Sequence, residues 1–227
     1  MNKKCPQCGL ANFPHEENCR RCQTVLTSQT VQNTNDNDSR KTHGLDRAAF
    51  WFIKRFASAA VIAALILFGV YISLLRSANT LTTEQQITVD KAIEVLSEKG
   101  FEREVSLLRS VAAYRSSDNW LNNYTGHETA YAATNFPFEI ITLYETFFTE
   151  TIDDTERASI LLHEAQHLQG ANEANTCEYV WRNKKTLGWS KANYKTSKVW
   201  RGVQILTKEN APRLFICEGN EMGDCIE

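Results

Sequence analysis

His163 and His167 stand four residues apart in "LLHEAQHLQG", with Glu164 beside the first and Gly170 three past the second. On a helix, roughly 400° of rotation returns both imidazoles to one face, one turn apart. Two ring nitrogens then reach a single zinc ion at about 2.0–2.1 Å. Glu164, about 100° round from His163, can reach a water on that ion without replacing it. The ion would draw the water's pKa towards about 7, and Glu164 would take the proton. The competing reading is a solvated polar helix face that carries two histidines.

Catalytic zinc keeps three protein ligands and one open position. A helix continued beyond His167 would carry residue 173 about 15 Å along its axis from His163. The chain must therefore turn, and Gly170 supplies the break. Glu173 and Glu178 are the candidate third ligands. On one helix they stand about 140° apart after a full turn, so they cannot both face the ion. Glu173 is favoured, because a following helix capped by Asn172 holds its first turn near the glycine turn. Glu178 is the alternative, or a partner for the outer nitrogen of a histidine.

With these residues in view, the segment resembles the zincin metallopeptidases. His-Glu-x-x-His-x-x-Gly followed by Glu173 has the metzincin spacing, with glutamate where metzincins carry histidine or aspartate. The related gluzincins take a glutamate from a following helix, and "EAN" at 173–175 is similar to a run found in some of them. The resemblance covers about 20 residues closely. It implies zinc held by His163, His167 and Glu173, Glu164 as base, and a zincin-like α+β domain with an edge strand that aligns a peptide substrate. Metzincins also place a methionine turn beneath the metal; Met222 is the one internal methionine, but "EGNEMGDC" lacks the shape of that turn. Zincins often stabilise the oxyanion with Tyr or His. His127, Tyr124 and Tyr194 are available, although a loop or core role is the simpler reading of each.

At the N-terminus, Cys5, Cys8, Cys19 and Cys22 form two Cys-x-x-Cys pairs ten residues apart. Four thiolates can close a tetrahedral, structural zinc site. The segment is too small to bury a core, so metal must supply its folding energy. Residues 1–26 resemble the short zinc ribbons of bacterial membrane proteins, which implies a structural zinc or a cytoplasmic protein partner. His15 lies between the pairs and reads as a surface residue.

Residues 27–49 are polar at first, nearly free of aliphatics, and read as a flexible linker. "FASAAVIAALILFGVYISLL", Phe56 to Leu75, has no charge and is long enough to cross a bilayer as a helix. Arg40, Lys41, Arg47, Lys54 and Arg55 precede it and only Arg76 closely follows, which predicts a cytoplasmic N-terminus and an extracytoplasmic C-terminal domain. The net charge of −2 gives no reason to expect nucleic acid.

Residues 77–227 suit one outer domain. Thr83 is the expected cap of a helix through about Lys99, and a second helix is predicted from Glu102 to Tyr114. Another should start at Asp153, Asp154 or Thr155 and run to Gln169, and a last one from Asn172 to Lys184. "FEIITLY", Phe138 to Tyr144, reads as a strand. "SSDNWLNNYTGHE" reads as loop. Cys217 and Cys225 can form a disulfide outside the cytoplasm, with Cys177 free or pairing with either. The expectation is mainly helical α+β: a zinc ribbon, one transmembrane helix in a bacterial cytoplasmic membrane, and a zincin-like zinc peptidase acting on protein or peptide. The rival is a non-catalytic binding or sensory module.

Overall fold

The computed structural model describes residues 2–26, 37–125 and 131–226, with 37–49 as backbone. Among them the chain is mainly helical, with two small sheets. It divides into two units, Met1–Val61 and Ile62–Glu227.

The first unit begins with two matching knuckles. Cys5 N–H donates to the Leu10 carbonyl and Gly9 N–H to that of Cys5; Cys19 N–H donates to Thr24 and Gln23 N–H to Cys19, all at 2.8–2.9 Å. The fifth residue of each knuckle takes positive φ, +71° at Gly9 and +61° at Gln23. Strands β1 (Lys3–Lys4) and β2 (Ala11–Asn12) pair antiparallel across the first knuckle. Among the described residues, Cys5, Cys19 and Leu26 form the buried hydrophobic cluster here, with Cys8 and Leu10 packed on it.

Helix α1 runs Asn37–Ser77, so it starts inside the stretch expected to be linker, of which 27–36 lie outside the described residues. Its part Phe50–Ser77 is long and apolar enough to cross a membrane.

The second unit is built from α2 (Thr83–Glu98), α3 (Glu102–Ser110), β3 (Ala113–Arg115), α4 (Trp120–Thr125), β4 (Ala132–Asn135), β5 (Ile140–Leu143), α5 (Glu145–Thr149), α6 (Asp154–Leu168), α7 (Glu173–Leu187), α8 (Lys191–Tyr194) and α9 (Lys198–Asn210). Strand β5 is central, parallel to β3 and antiparallel to β4, which is left at the edge. Helix α6 packs against α2, α3, α7 and β4. Its Leu161, Leu162 and Ala165 are fully buried, so it is a core helix rather than a solvated face. Trp181, Trp189 and Trp200 pack together at the junction of α7 and α9, with ring centroids 4.8–6.3 Å apart.

Several boundaries differ from expectation for local reasons. Thr82, not Thr83, caps α2: its hydroxyl accepts from Gln85 N–H while the Gln85 side chain accepts from Thr82 N–H. The helix begun at Glu102 stops at Ser110, because Tyr114 belongs to β3 and pairs with Ile141. "SSDNWLNNYTGHE" contains α4, started where Asn119 Oδ1 accepts from the N–H groups of Leu121 and Asn122.

Candidate metal centre

Helix α6 starts at Asp153, whose carboxylate accepts from Glu156 N–H at 2.9 Å. It ends at a turn in which Gly170 takes φ +79°, a conformation that costs residues with a Cβ. Asn172 then caps α7 by accepting from Asn175 N–H. This reversal returns Glu173 to the histidines one and two turns earlier on α6.

The three donors converge. His163 Nε2 and His167 Nε2 are 3.1 Å apart, and the two Glu173 oxygens lie 3.4 Å from the first and 3.2 Å from the second. Ligands on a tetrahedral ion with bonds of about 2.0–2.1 Å stand about 3.3 Å apart. The spacing therefore fits one zinc-sized cation. His167 Nδ1 lies 2.9 Å from the Ala171 carbonyl, which can only accept, so Nδ1 carries the proton and Nε2 in the neutral ring presents its lone pair. Cys177, buried one turn along α7, donates to Glu173 Oε1 at 3.4 Å. Burial, with the Glu173 charge, pushes its thiol up to about 12, so it stays a donor.

Glu164 lines the same cleft and is 4% exposed; its Oε2 accepts from Thr134 Oγ1 at 2.7 Å. The cleft encloses about 590 Å³. Ala132, Ala133 and Thr134 of edge strand β4 form one wall, and Ile160, Val180 and Val203 contribute apolar surface.

Glu178 is not part of this cluster. It faces away and pairs with Arg182 at 2.8 Å and with Arg213, and the outer nitrogen of His167 is taken by Ala171 instead. Tyr194 is a core residue whose hydroxyl donates to Asp153 at 2.7 Å. Tyr124 is exposed on α4 and does not line the cleft. His127 lies outside the described residues. Met222 lines a different cleft, with Lys195 and Trp200. The sequence reading did not single out Thr134 or the Ala171 carbonyl. The short, alanine-rich "AATN" carries little strand signal, and a carbonyl has no residue signature at all.

In the first unit, three pairs of thiols, Cys5–Cys22, Cys8–Cys19 and Cys8–Cys22, each lie 3.5 Å apart. Zn–S bonds of about 2.3 Å predict edges near 3.8 Å. Backbone N–H groups of Cys22 and Arg21 draw the Cys19 thiol down to about 6. The four cysteines can hold a zinc ion. At the other end of the chain Cys217 and Cys225 are joined as a disulfide, and Cys177 is free and buried.

No protein-family model matches this chain, and no curated protein or solved structure resembles it.

Proposed function

We propose that this protein is a membrane-anchored, zinc-dependent peptidase. The observation that carries the reading is the convergence of His163, His167 and Glu173 within a zinc-sized radius, in a cleft that also holds Glu164 and a strand edge unpaired among the described residues.

When bound there, zinc supplies a Lewis acid that polarises a carbonyl and acidifies a water. The chain does the rest. Glu164 takes the water's proton; Oε2 is occupied by Thr134, which leaves Oε1 as the receiving atom. The same carboxyl returns that proton to the departing amine nitrogen. The outer edge of β4 offers backbone N–H and C=O groups to an extended peptide, holding the scissile bond against Glu164.

Residues Phe50–Ser77 span the membrane in this reading. The excess of Arg and Lys before them supports a cytoplasmic N-terminus. Cysteine chemistry agrees: the ribbon thiols are free, as a reducing compartment keeps them, and Cys217–Cys225 is oxidised, as an extracytoplasmic setting allows. The ribbon holds a second, structural zinc and offers a cytoplasmic partner surface.

The test is zinc analysis of the purified full chain together with a peptide-library digest. Two zinc ions per chain are expected, falling to one in His163→Ala/His167→Ala. Glu164→Gln should retain both and lose about 10²–10⁴ in hydrolysis rate. Zinc bound with no hydrolysis by the unaltered chain is the outcome expected of a non-catalytic binding module. Unchanged zinc after loss of both histidines would sink the metal site itself.

A further inference from the structure

We infer that the outer domain rests on its own bilayer through α4, and that its cleft therefore takes peptide segments close to the membrane surface. This rests on the membrane-spanning and peptidase readings above.

The last turns of α1 are not a free stalk. Residues Phe50 to Gly69 are exposed; Val70, Tyr71 and Ile72 are partly covered, Ser73 stays exposed and Leu74 is fully buried. Arg115 Nε donates to the Leu75 carbonyl at 3.2 Å, and Trp120 N–H to Ser77 Oγ at 3.2 Å. The Asn79 carbonyl accepts from Ser116 N–H, and Asn79 N–H donates to Ser117 Oγ, at 2.9 Å each. The domain is thus fixed to the helix rather than held on a tether.

The contact that sets its height is Trp120 Nε1 donating to Ser73 Oγ at 3.2 Å. A hydrocarbon core of about 30 Å takes about 20 helical residues. Counted from Phe50, the core ends near Val70 and Ser73 stands about 4.5 Å outside it; counted from Phe56, it ends at Leu75 and Ser73 stands about 3 Å inside. The first register puts the Trp120 indole in the headgroup layer, which is about 5–7 Å thick on each side; the second puts the indole nitrogen just inside the hydrocarbon boundary, with the Trp120 N–H, on Ser77, about 3 Å outside it.

Helix α4 is built for that layer. Trp120 and Tyr124, four residues apart on one face, are 46% and 87% exposed. These are the amphipathic rings that favour a membrane–water boundary, with one end apolar and one end wet. The opposite face of α4 is polar and buried: Asn119 and Asn122 turn inward. Asn119 donates to Asn135 at 2.7 Å, and Asn135 donates to Asn122 at 2.5 Å. Asn135 ends β4, next to Thr134, whose hydroxyl is on Glu164.

Two side-chain hydrogen bonds and two backbone steps therefore connect the lipid-facing helix to the proposed base, a path of roughly 20 Å. An extended peptide rises about 3.3 Å per residue, so a bond about six residues from the bilayer can reach the cleft. The substrate class this geometry selects is the juxtamembrane segment of a membrane-anchored protein or peptide.

The full chain in phosphatidylcholine–phosphatidylglycerol vesicles tests the seating. Part of the lipid carries a nitroxide near the headgroup end of an acyl chain. Trp181, Trp189 and Trp200 are buried, so in Trp51→Phe protein the quenched tryptophan emission should be that of Trp120, and it should vanish on adding Trp120→Phe. Quenching that Trp120→Phe leaves unchanged, in protein that floats with the vesicles, overturns the inference alone. Protein that does not float overturns the spanning reading and the inference with it. Reach is then read with lipid-anchored peptides whose cleavable bond stands about six, twelve or twenty residues from the anchor. Cleavage should be fastest for the shortest spacing; equal rates at all three overturn the substrate class while leaving the peptidase reading intact, and no cleavage of any peptide fails both.

Discussion

The Nδ1–H of His167 and the carbonyl of Ala171 meet at 2.9 Å across the turn that ends α6. One contact joins the ring to the chain reversal, so the backbone that brings Glu173 into reach also sets which imidazole nitrogen is bare. The metal geometry therefore depends on the conformation of Gly170 as well as on the ligands.

Gly170→Ala tests this dependence. At φ +79° an added Cβ costs about 1–2 kcal/mol in backbone strain. It would sit 3.6 Å from Phe136 Cζ, an ordinary contact, so strain and not collision is the cause. The turn should relax, shifting the Ala171 carbonyl and weakening zinc binding about 10–100-fold, as loss of a ligand's supporting partner does. Gly170→Asn should be milder, because asparagine tolerates the left-handed region. Competition for zinc with a chromophoric chelator reads both.

The same cluster sets a pH dependence. Burial alone would lower His167, but its hydrogen bond with Glu173, the Glu164 charge and the Ala171 carbonyl outweigh it and hold the ring above its ordinary 6.5. Hydrogen bonds from His163 and His167 hold Glu173 well below its ordinary 4.5. The Glu173 contribution is present above pH 4.5 and is lost as pH falls through the depressed value. The His167 contribution is present below pH 6.5 and is lost as pH rises through the raised one. Metal-free protein should therefore gain most from the pair between pH 4.5 and 6.5. The gain should be no more than about 1 kcal/mol, because the Glu173 side chain is 43% exposed and solvent screens it. Zinc needs the bare nitrogen, so stabilisation by added zinc should grow as pH rises. Melting curves of wild type and Glu173→Gln, with chelator and with zinc, check both limbs.

Thr134→Val removes the one hydroxyl that donates to Glu164 among the described residues, at nearly constant shape. Zinc content should not change. Hydrolysis should fall about tenfold, the worth of one charge-assisted hydrogen bond in orienting the base. Thr134→Ser should restore the rate, since it keeps the donor; no loss in the valine protein would remove Thr134 from the catalytic arrangement.

How much of this was legible follows from where each signal resides. His163, His167, Gly170 and Glu173 were readable because they are local: helical spacing, a glycine stop and an Asn172 cap lie within eleven residues. The Cys-x-x-Cys knuckles were readable for the same reason. The cleft's other wall was not. Strand β4 is four residues long and earns its place by pairing with β5 and packing on α6, which are non-local facts. Helix α4 was hidden in a polar stretch because its buried face is made of asparagines that satisfy one another, the reverse of an apolar stripe. Glu178 competed on paper for the metal; only the fold shows two arginines claiming it.

The last prediction concerns what anchors α7, the helix that carries Glu173. The Asp224 carboxylate accepts from Trp181 Nε1 at 3.1 Å, from Ile226 N–H at 2.8 Å and from the Lys184 ammonium, and both charged residues are 2% exposed. That ammonium also lies 3.9 Å over the Trp181 ring. Cys225 ties the segment back to Cys217, so the disulfide holds Asp224 against α7. Asp224→Asn removes the carboxylate from a buried cation and should cost about 3–5 kcal/mol. Cys217→Ser/Cys225→Ser should cost about 2–3 kcal/mol, the loop-closure value for a short ring. The two losses should not add, because the disulfide acts largely by delivering Asp224; a double-mutant cycle in urea, followed by tryptophan emission, measures the coupling. Strict additivity would mean that the disulfide stabilises the domain by some route other than this ion pair.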